Sequence, residues 1–283
     1  MDSEPGGLAL YCDSMGWMPS RVVHYLGHPF VYPTGSQVGD AIASGWEWDG
    51  VLRPILAALV PDEKPMVCEV GSNIGASLLE ILVAKPHARV LSFEPADRYR
   101  AFLEYNLALA GYTEVEVSAS LVDSKPGTGF ISTDGTSGSI RAMPHLTTTQ
   151  AAPVTTLDEA LRRHDPLTFL KTDTDGHDME VLHGAEATLR HDRPVLFLEF
   201  CPVLMETPPV PELAWLQRLG YRRFVCLDNA GRLVGETTDP EQAVSWSDAY
   251  WYCDILTCPA GSPSEGRLGS LSLPPAPPPT RTA

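Results

Sequence analysis

The sequence predicts an α/β protein with a doubly wound, mostly parallel sheet. Short apolar runs of strand length alternate with longer helix-like segments between Met66 and Leu256. Glycines, prolines and polar residues follow most of the apolar runs. Strands that alternate with helices are typical of βαβ units, and the right-handed crossovers of such units place helices on both faces of one sheet.

The first half of this region predicts three strands and two helices. Met66–Val70 is a short apolar run, and Gly75–Val83 is apolar nearly all round, as expected for a helix buried against a sheet. Ala88–Phe93 is the next strand. Asp97–Ala110 carries its large apolar side chains on one helical face and is followed by a glycine, which is typical of a helix end. Glu114–Ala119 is the third strand.

The next segment continues the alternation. Leu157–His164 predicts a short helix and Leu167–Thr172 a strand. Asp178–Arg190 has an apolar face at helical spacing, with an acidic residue near its start. Pro194–Phe200 is an almost continuous apolar run, which is typical of a strand buried on both faces of a parallel sheet.

The last predicted elements are one helix and two strands. Leu213–Leu219 is a helix that a glycine ends, and Arg222–Leu227 and Tyr250–Leu256 are strands. Ligands of doubly wound sheets bind beyond the carboxyl ends of the strands. The residues that follow each strand are therefore the first candidates for a site.

The pattern divides the chain into three parts. Residues 1–44 precede the first predicted strand, and we expect them to form a lid or substrate wall. Residues 45–258 carry the α/β pattern. Residues 259–283 hold seven of the 26 prolines and few large apolar side chains, which predicts a disordered, Pro-rich tail.

Composition and charge narrow the class of partner. The chain has 36 acidic and 20 basic residues, and a formal net charge of −16. This excess disfavours nucleic acids and anionic lipid surfaces as partners. No apolar run reaches the roughly 18 residues that a membrane span needs, and the first residues do not resemble a signal peptide. Six scattered cysteines without a CxxC pair are typical of reduced thiols, so we expect a cytoplasmic protein.

A glycine turn follows the first predicted strand. Gly71 and Gly75 frame a turn that allows close backbone approach, and the next helix would offer free N–H groups to an anion. Asn73 stands where the dinucleotide fingerprint GxGxxG requires its second glycine, and by itself the turn is equally consistent with a structural role. Glu94 ends the second strand, 23 residues after Gly71, where an acid can accept the hydroxyls of a ribose. Together these features predict a site for a nucleoside with a charged tail.

Strongly polar residues follow the strand Leu167–Thr172. Burying such residues at a strand end is costly unless they serve a site. Asp173 and Asp175 begin like a calcium loop, but Asp178 replaces the required glycine at position six and Gly184 replaces the glutamate at position twelve. We therefore reject a calcium site. Glu199 ends the following strand and either serves the site or forms an ion pair with Lys171 or an arginine.

Taken together, these motifs resemble those of the FkbM family of S-adenosylmethionine-dependent methyltransferases. The resemblance covers roughly Gly45 to Leu256, and its motifs occur in the expected order. Two positions depart from the family pattern: Glu69 replaces an aspartate and Asp175 replaces a glutamate, and both keep the charge. The matching segments are residues 69–75, 93–95, 106–107, 156–158, 171–176, 181–185, 193–194 and 198–199.

The resemblance implies a class I methyltransferase with a Rossmann-like, doubly wound sheet of seven strands, the last of them antiparallel. It implies S-adenosylmethionine as cofactor, O-methylation of a hydroxyl on a sugar, polyketide or other secondary metabolite, and no metal. The loop of Gly71 would hold the methionine part of the cofactor, Glu94 its ribose, and Ser120 and Leu121 its adenine. The other cofactor contacts implied are Glu47, Glu69, Ser72, Asn73 and Gly75.

The catalytic residues are expected after the central strand. Asp173 would position or bind the acceptor, and His177 is the candidate general base, because histidine accepts protons near neutral pH. Lys171 is a third candidate, which pairs with an acid more readily than it acts chemically. Asp175 and Glu199 are candidate substrate contacts.

Two other functions remain open at this stage. A nicotinamide-dependent oxidoreductase can use a similar sheet, although the missing GxGxxG counts against it. A catalytically silent relative that still binds the cofactor is the second alternative. The acidic balance favours a neutral or cationic small-molecule or glycan acceptor over a polyanion.

Overall fold

A computed structural model describes residues 20–133, 138–139 and 148–279. The described strands form a hairpin, a central eight-stranded sheet and a four-stranded sheet. The strands are β1 (Ser20–Tyr25), β2 (His28–Pro33), β3 (Met66–Val70), β4 (Arg89–Phe93), β5 (Glu116–Ser118), β6 (Leu121–Val122), β7 (Gly127–Thr133), β8 (Gly138–Ser139), β9 (Thr148–Thr155), β10 (Leu167–Thr172), β11 (Val195–Phe200), β12 (Phe224–Leu227), β13 (Leu233–Thr237) and β14 (Cys253–Thr257).

Helices cover both faces of the central sheet, with an apolar cluster between the sheet and each layer of helices. Three short 3₁₀ turns occur at Leu161–Arg163, Pro202–Leu204 and Leu268–Ser270. The helices are α1 (Gln37–Ala43), α2 (Leu52–Leu59), α3 (Ala76–Ala84), α4 (Asp97–Ala110), α5 (Leu157–Ala160), α6 (Asp178–His183), α7 (Glu186–His191), α8 (Pro209–Arg218), α9 (Pro240–Tyr250) and α10 (Pro263–Arg267).

The central sheet confirms the predicted fold class. Its strand order is β13-β12-β14-β11-β10-β3-β4-β5. Strands β5, β4, β3, β10 and β11 are parallel, and β14 runs antiparallel between β11 and β12. This is a doubly wound sheet with the expected antiparallel last strand. The unpredicted β13 adds an eighth strand, antiparallel to β12, at the sheet edge.

Two predicted elements differ from the structure. The predicted helix Asp178–Arg190 is two helices, because the chain bends at Gly184 to pass beside Asp123, whose carbonyl oxygen lies 2.2 Å from where a β-carbon on Gly184 would stand. Tyr250 ends helix α9 instead of beginning a strand, and Trp251 adopts a φ of 78° between the helix and β14. Aromatic and apolar residues suit both element types, so composition alone misplaced this boundary.

The four-stranded sheet was not predicted. It has the order β6-β9-β7-β8 and lies between β5 and α5 in the chain. Glycine, serine and threonine dominate this segment, and such residues give a weak strand pattern. Its buried Leu121 and Ile131 face the site described below.

The hairpin of β1 and β2 packs on the same core as the central sheet. Phe30, Val31 and Tyr32 are almost fully buried. Asn106 of α4 holds the hairpin: its Oδ1 accepts from the Val31 N–H at 2.7 Å, and its Nδ2 donates to the carbonyls of Val31 and Ile74, each at 2.9 Å. The described part of residues 1–44 thus belongs to the main core, and its role as a lid stays a prediction.

The segment after β14 differs from the disordered tail that its composition predicts. It contains α10, and Leu268 is buried. The Leu233 N–H donates to the Pro274 carbonyl at 2.7 Å, and the Ala276 N–H donates to the Leu233 carbonyl at 2.8 Å. An extended proline-rich chain can thus satisfy the open edge of β13. Residues 280–283 lie outside the described residues.

Two further expectations concern the cysteines and membrane spans. The five cysteines within the described ranges are unpaired and buried, as predicted for reduced thiols. In the same ranges, no helix combines the length and the apolar character that crossing a bilayer requires.

Replacing Asn106 with alanine tests its role in holding the hairpin. We expect N106A to lower the free energy of unfolding by about 3 kcal/mol or more, because three buried backbone groups lose their partners. Urea unfolding measures this loss. The control is E104A on the exposed face of the same helix, which should change stability little. A loss for N106A equal to that of E104A would contradict the assignment.

Candidate active site

The carboxyl ends of the central strands open onto a cavity of about 290 Å³, here called the glycine-turn cavity. Its apolar wall includes Trp48, Ile74, Phe93, Tyr99 and Ile131. Its size is close to the lower end of ligand pockets, roughly 300 Å³. The structure brings nine sequence-predicted residues to its lining: Gly71, Ser72, Asn73, Glu94, Ser120, Leu121, Asp173, Asp175 and Glu199.

The glycine turn needs its glycines. Gly71 has a φ of 90°, and a β-carbon on it would stand 1.9 Å from the Asp173 carbonyl oxygen. The N–H groups of Gly71 and Ser72 donate to the Phe93 carbonyl, which ties the turn to the end of β4. Gly75, with a φ of 92°, packs against Leu103 and caps α3, so it shapes the turn without lining the cavity.

Glu94 is bound to the glycine turn through its side chain. Its Oε2 accepts from the Asn73 N–H and its Oε1 from the Ala96 N–H, both at 2.8 Å. Burial, opposed only in part by these two hydrogen bonds, raises the pKa of Glu94 to about 8. The carboxyl is thus fixed in orientation, where it can form hydrogen bonds with the hydroxyls of a ligand.

A buried lysine lies beneath the cavity. The Lys171 ammonium is 2.8 Å from Asp173 Oδ2, 3.4 Å from Asp49 Oδ2 and 3.9 Å from Glu69 Oε1. Burial alone would lower the pKa of Lys171, but these three carboxylates outweigh it and hold that pKa well above its ordinary value. Lys171 therefore stays protonated and cannot act as a base. The sequence-based expectation that it pairs with an acid agrees with this geometry.

Glu69 lies below the glycine turn and outside the cavity lining. It is fully buried, and its Oε1 accepts from the Ser77 hydroxyl at 2.7 Å. Burial raises the pKa of Glu69 despite the nearby Lys171. This position suits a support for Lys171 better than a direct contact to a ligand.

Three more carboxyls near the strand ends have raised pKa values. Burial, together with the charge of Asp173, raises the pKa of Asp178 to about 7. Burial and the neighbouring acids raise the pKa values of Glu199 and Asp254 well above their usual range. A positively charged ligand would stabilise the ionised form of these acids.

His177 and Glu47 do not reach the glycine-turn cavity. His177 Nε2 faces Asp123 Oδ2 at 3.2 Å and its Nδ1 lies 3.9 Å from Glu180 Oε2, on the far side of the loop. Glu47 pairs with Arg53 at the surface. Neither residue lines a cavity at the strand ends, so the predicted roles of a base and a cofactor contact lack a geometric basis.

A second cavity of about 220 Å³, here called the acidic cavity, adjoins the first. The two cavities share Trp48, Asp173, Glu199 and Tyr252. Sequence reasoning missed Asp49, Tyr252 and Asp254 among its lining residues. The available signal was position: Tyr252 and Asp254 fall within the predicted strand Tyr250–Leu256, and Asp49 lies two residues after Glu47.

Within residues 20–133, 138–139 and 148–279, no group of three or more His, Cys, Asp or Glu side chains is arranged to hold a metal ion.

Two features define the class I methyltransferase fold. The antiparallel strand β14 is inserted between β11 and β12, and the site lies beside the glycine turn. The family model described as "Methyltransferase FkbM domain" matches residues 69–223. This chain therefore belongs to the FkbM methyltransferase family, as its motifs predicted. No functionally curated protein matches the sequence.

Solved methyltransferase structures are similar to this chain at low identity. Methyltransferase FkbM from Methylobacillus flagellatus KT has a TM-score of 0.46 and 17% identity, and the match covers 69% of this chain and 44% of that chain. Precorrin-6y C5,15-methyltransferase from Geobacter metallireducens GS-15 has a TM-score of 0.44 and 12% identity, and the match covers 74% of this chain and 88% of that chain. An O-methyltransferase from Bacillus cereus, solved with SAH, has a TM-score of 0.41 and 12% identity, and the match covers 78% of this chain and 87% of that chain. The chain thus spans less than half of the Methylobacillus protein.

Replacing Gly71 with alanine tests the close approach of the glycine turn to Asp173. We expect G71A to abolish binding at the glycine-turn cavity, because the turn must move to relieve the overlap with the Asp173 carbonyl. Calorimetry with S-adenosylhomocysteine measures the loss. The matched control is G111A, whose φ is 85° but whose β-carbon would meet no atom within 4 Å. Equal binding in both variants would refute this reading of the turn.

The raised carboxyl pKa values predict that the ligand-free protein loses stability as pH rises. The folded state keeps protons on Glu94 up to about pH 8 and on Asp178 up to about pH 7, whereas the unfolded chain releases them near their ordinary pKa values of 4.5 and 3.8. Each group then lowers the free energy of unfolding by about 1.4 kcal/mol per pH unit within its window.

Urea unfolding between pH values of about 5 and about 8 measures this slope. E94Q should flatten it, whereas E241Q on the surface should leave it unchanged. A slope that is the same in E94Q and in the wild type would show that Glu94 keeps an ordinary pKa.

Proposed function

We propose that this protein is an S-adenosylmethionine-dependent O-methyltransferase that acts on a hydroxyl of a small molecule or glycan, such as a sugar, polyketide or other secondary metabolite. The observation that carries the proposal is the glycine-turn cavity, in which a fixed Glu94 and an acidic floor meet beneath one glycine turn. Membership of a methyltransferase family supports it.

The residues of the glycine-turn cavity fit this cofactor. Asn73 lines the cavity, and its buried Oδ1 has no hydrogen-bond partner among the described residues. Unpartnered buried polar atoms are uncommon and indicate a missing ligand or water. The four acids that line this cavity favour a positively charged group, which a sulfonium provides; they are Glu94, Asp173, Asp175 and Glu199.

Each lining residue would hold one part of the cofactor. Glu94 would accept the ribose hydroxyls, and Ser120 and Leu121 would flank the adenine, next to the buried Ile131. Asn73 and Ser72 would face the amino-acid part. Bound S-adenosylmethionine would supply a methyl group on a positively charged sulfur, which leaves as a neutral thioether.

Asp173 is the best-placed residue to handle the acceptor proton. It lines both cavities and accepts a charge-assisted hydrogen bond from Lys171, which fixes its orientation. Its carboxylate would accept the proton of the acceptor hydroxyl. Glu199 also lines both cavities, where its carboxyl would form a hydrogen bond with the acceptor. Asp175 lines the glycine-turn cavity and would contact the substrate there.

Different observations disfavour the two alternative functions. A nicotinamide-dependent oxidoreductase is disfavoured because the matching family is one of methyltransferases. A silent relative is disfavoured by the buried, oriented acids of the site, which are costly to keep without a function. We also propose a cytoplasmic location, which the buried free thiols support.

Binding and product analysis test the proposal together. We expect micromolar binding of S-adenosylmethionine by calorimetry, and the transfer of one methyl group to a hydroxylated metabolite, detected by mass spectrometry. D173N lowers stability because Lys171 loses its nearest partner, so thermal unfolding first checks that the variant is folded. The folded variant should still bind the cofactor but lose roughly 10²-fold or more of the rate, because the group that accepts the proton is removed.

H177A is the matched control for the catalytic assignment, because His177 lies near Asp173 in the chain but outside both cavities. It should keep a rate close to that of the wild type. A large loss of rate in H177A, with an unchanged rate in D173N, would assign the role of general base to His177 instead of Asp173. No cofactor binding by the wild type would refute the proposed function.

A further inference from the structure

The acidic cavity has a lining of unusual composition. Four of its lining residues are carboxylic acids, namely Asp49, Asp173, Glu199 and Asp254, and its aromatic wall is formed by Trp46, Trp48 and Tyr252. None of the described lining residues is a lysine, arginine or histidine. A cavity this small with four acids and no basic residue favours a cationic occupant.

Lys171 compensates only part of this charge. Its ammonium lies within 4 Å of Asp49, Asp173 and Glu69. It forms no such ion pair with Glu199 or Asp254. Two of the four acids in the cavity therefore have no basic partner among the described residues.

The two uncompensated acids lie side by side. Glu199 of β11 and Asp254 of β14 are directly opposite each other in the antiparallel pair of strands. Like charges in this arrangement destabilise a sheet. A pair of opposed, buried acids that line a cavity indicates a ligand that compensates them.

The side chains of both acids also lack hydrogen bonds. Asp254 is only 9% exposed and lines the acidic cavity, and its carboxyl forms no hydrogen bond with a described residue. The Oε2 atom of Glu199 is buried without a partner in the same part of the structure. Buried carboxyls without hydrogen-bond donors are costly. A ligand that brings a positively charged donor would therefore form favourable hydrogen bonds with both carboxyls.

Resting on the proposed function, we propose that the acidic cavity binds the methyl acceptor and that this acceptor is a hydroxylated amine, of the amino sugar or aminocyclitol class. Its ammonium group lies between Glu199 and Asp254. Its hydroxyl faces Asp173, at the wall that the two cavities share. Its apolar ring face and cationic edge pack against Trp46 and Trp48, since tryptophan is the preferred aromatic partner of organic cations.

Two probes of one ring test this assignment: glucosamine, which carries an ammonium, and N-acetylglucosamine, which carries a neutral amide. Each is titrated by NMR into the full chain saturated with S-adenosylhomocysteine, whose binding is first confirmed by calorimetry. We expect glucosamine to bind at least about tenfold more tightly, because only its ammonium forms charge-assisted hydrogen bonds.

Three variants separate charge from shape. D254N should remove most of the preference for glucosamine, whereas the matched control D165N, on the exposed surface, should keep it. W46A changes a side chain that is 45% exposed, and should weaken both probes while keeping a preference between them. Thermal unfolding checks that each variant is folded. If D254N is not folded, W46A still tests whether the probes bind in the acidic cavity.

The outcomes distinguish the two proposals. Equal affinities for the two probes, no binding of glucosamine to the loaded protein, or a preference that survives in folded D254N would overturn the cationic acceptor while leaving the cofactor site intact. Failure to bind S-adenosylhomocysteine at all would instead overturn the proposed function.

Discussion

One buried ammonium ion organises this molecule. Lys171 lies on the central strand β10 and compensates carboxylates from three parts of the chain: Asp49 before α2, Glu69 on β3 and Asp173 after β10. Removing one partner of such a buried group leaves an uncompensated charge, which is strongly destabilising. The entry into α2, two neighbouring strands and the loop that lines both cavities are therefore coupled through a single side chain.

The remaining acids give the site its chemical character. They lie where parallel strands end, and burial raises the pKa of several of them, including Glu94 and Asp178. A protein holds acids in such positions at a cost, so their presence indicates a ligand that compensates them. The same electrostatic argument applies to the glycine-turn cavity and to the acidic cavity, which share Asp173 and Glu199.

Backbone geometry supplies the second constraint. Gly71 brings the turn after β3 against the Asp173 carbonyl, so the first and fourth parallel strands in chain order meet at their ends. Asn106 then joins the hairpin to the start of α3 through hydrogen bonds to Val31 and Ile74. The floor of the cavity is held in place because Gly71 packs against a backbone carbonyl and because the Asn106 side chain hydrogen-bonds the backbone of two separate segments.

The sequence by itself determined the alternating elements, the fold class, the family and most of the glycine-turn cavity. These features are local, because apolar periodicity and strand-end residues such as Gly71 and Glu94 can be recognised without knowing what packs against them. Tertiary structure alone decided that His177 faces Asp123 and that Asp49 reaches Lys171. It also decided that Asp254 opposes Glu199 and that the proline-rich segment pairs with β13. Those contacts join residues far apart in the chain or depend on the direction in which a loop turns, and the spacing of residues along a sequence encodes neither.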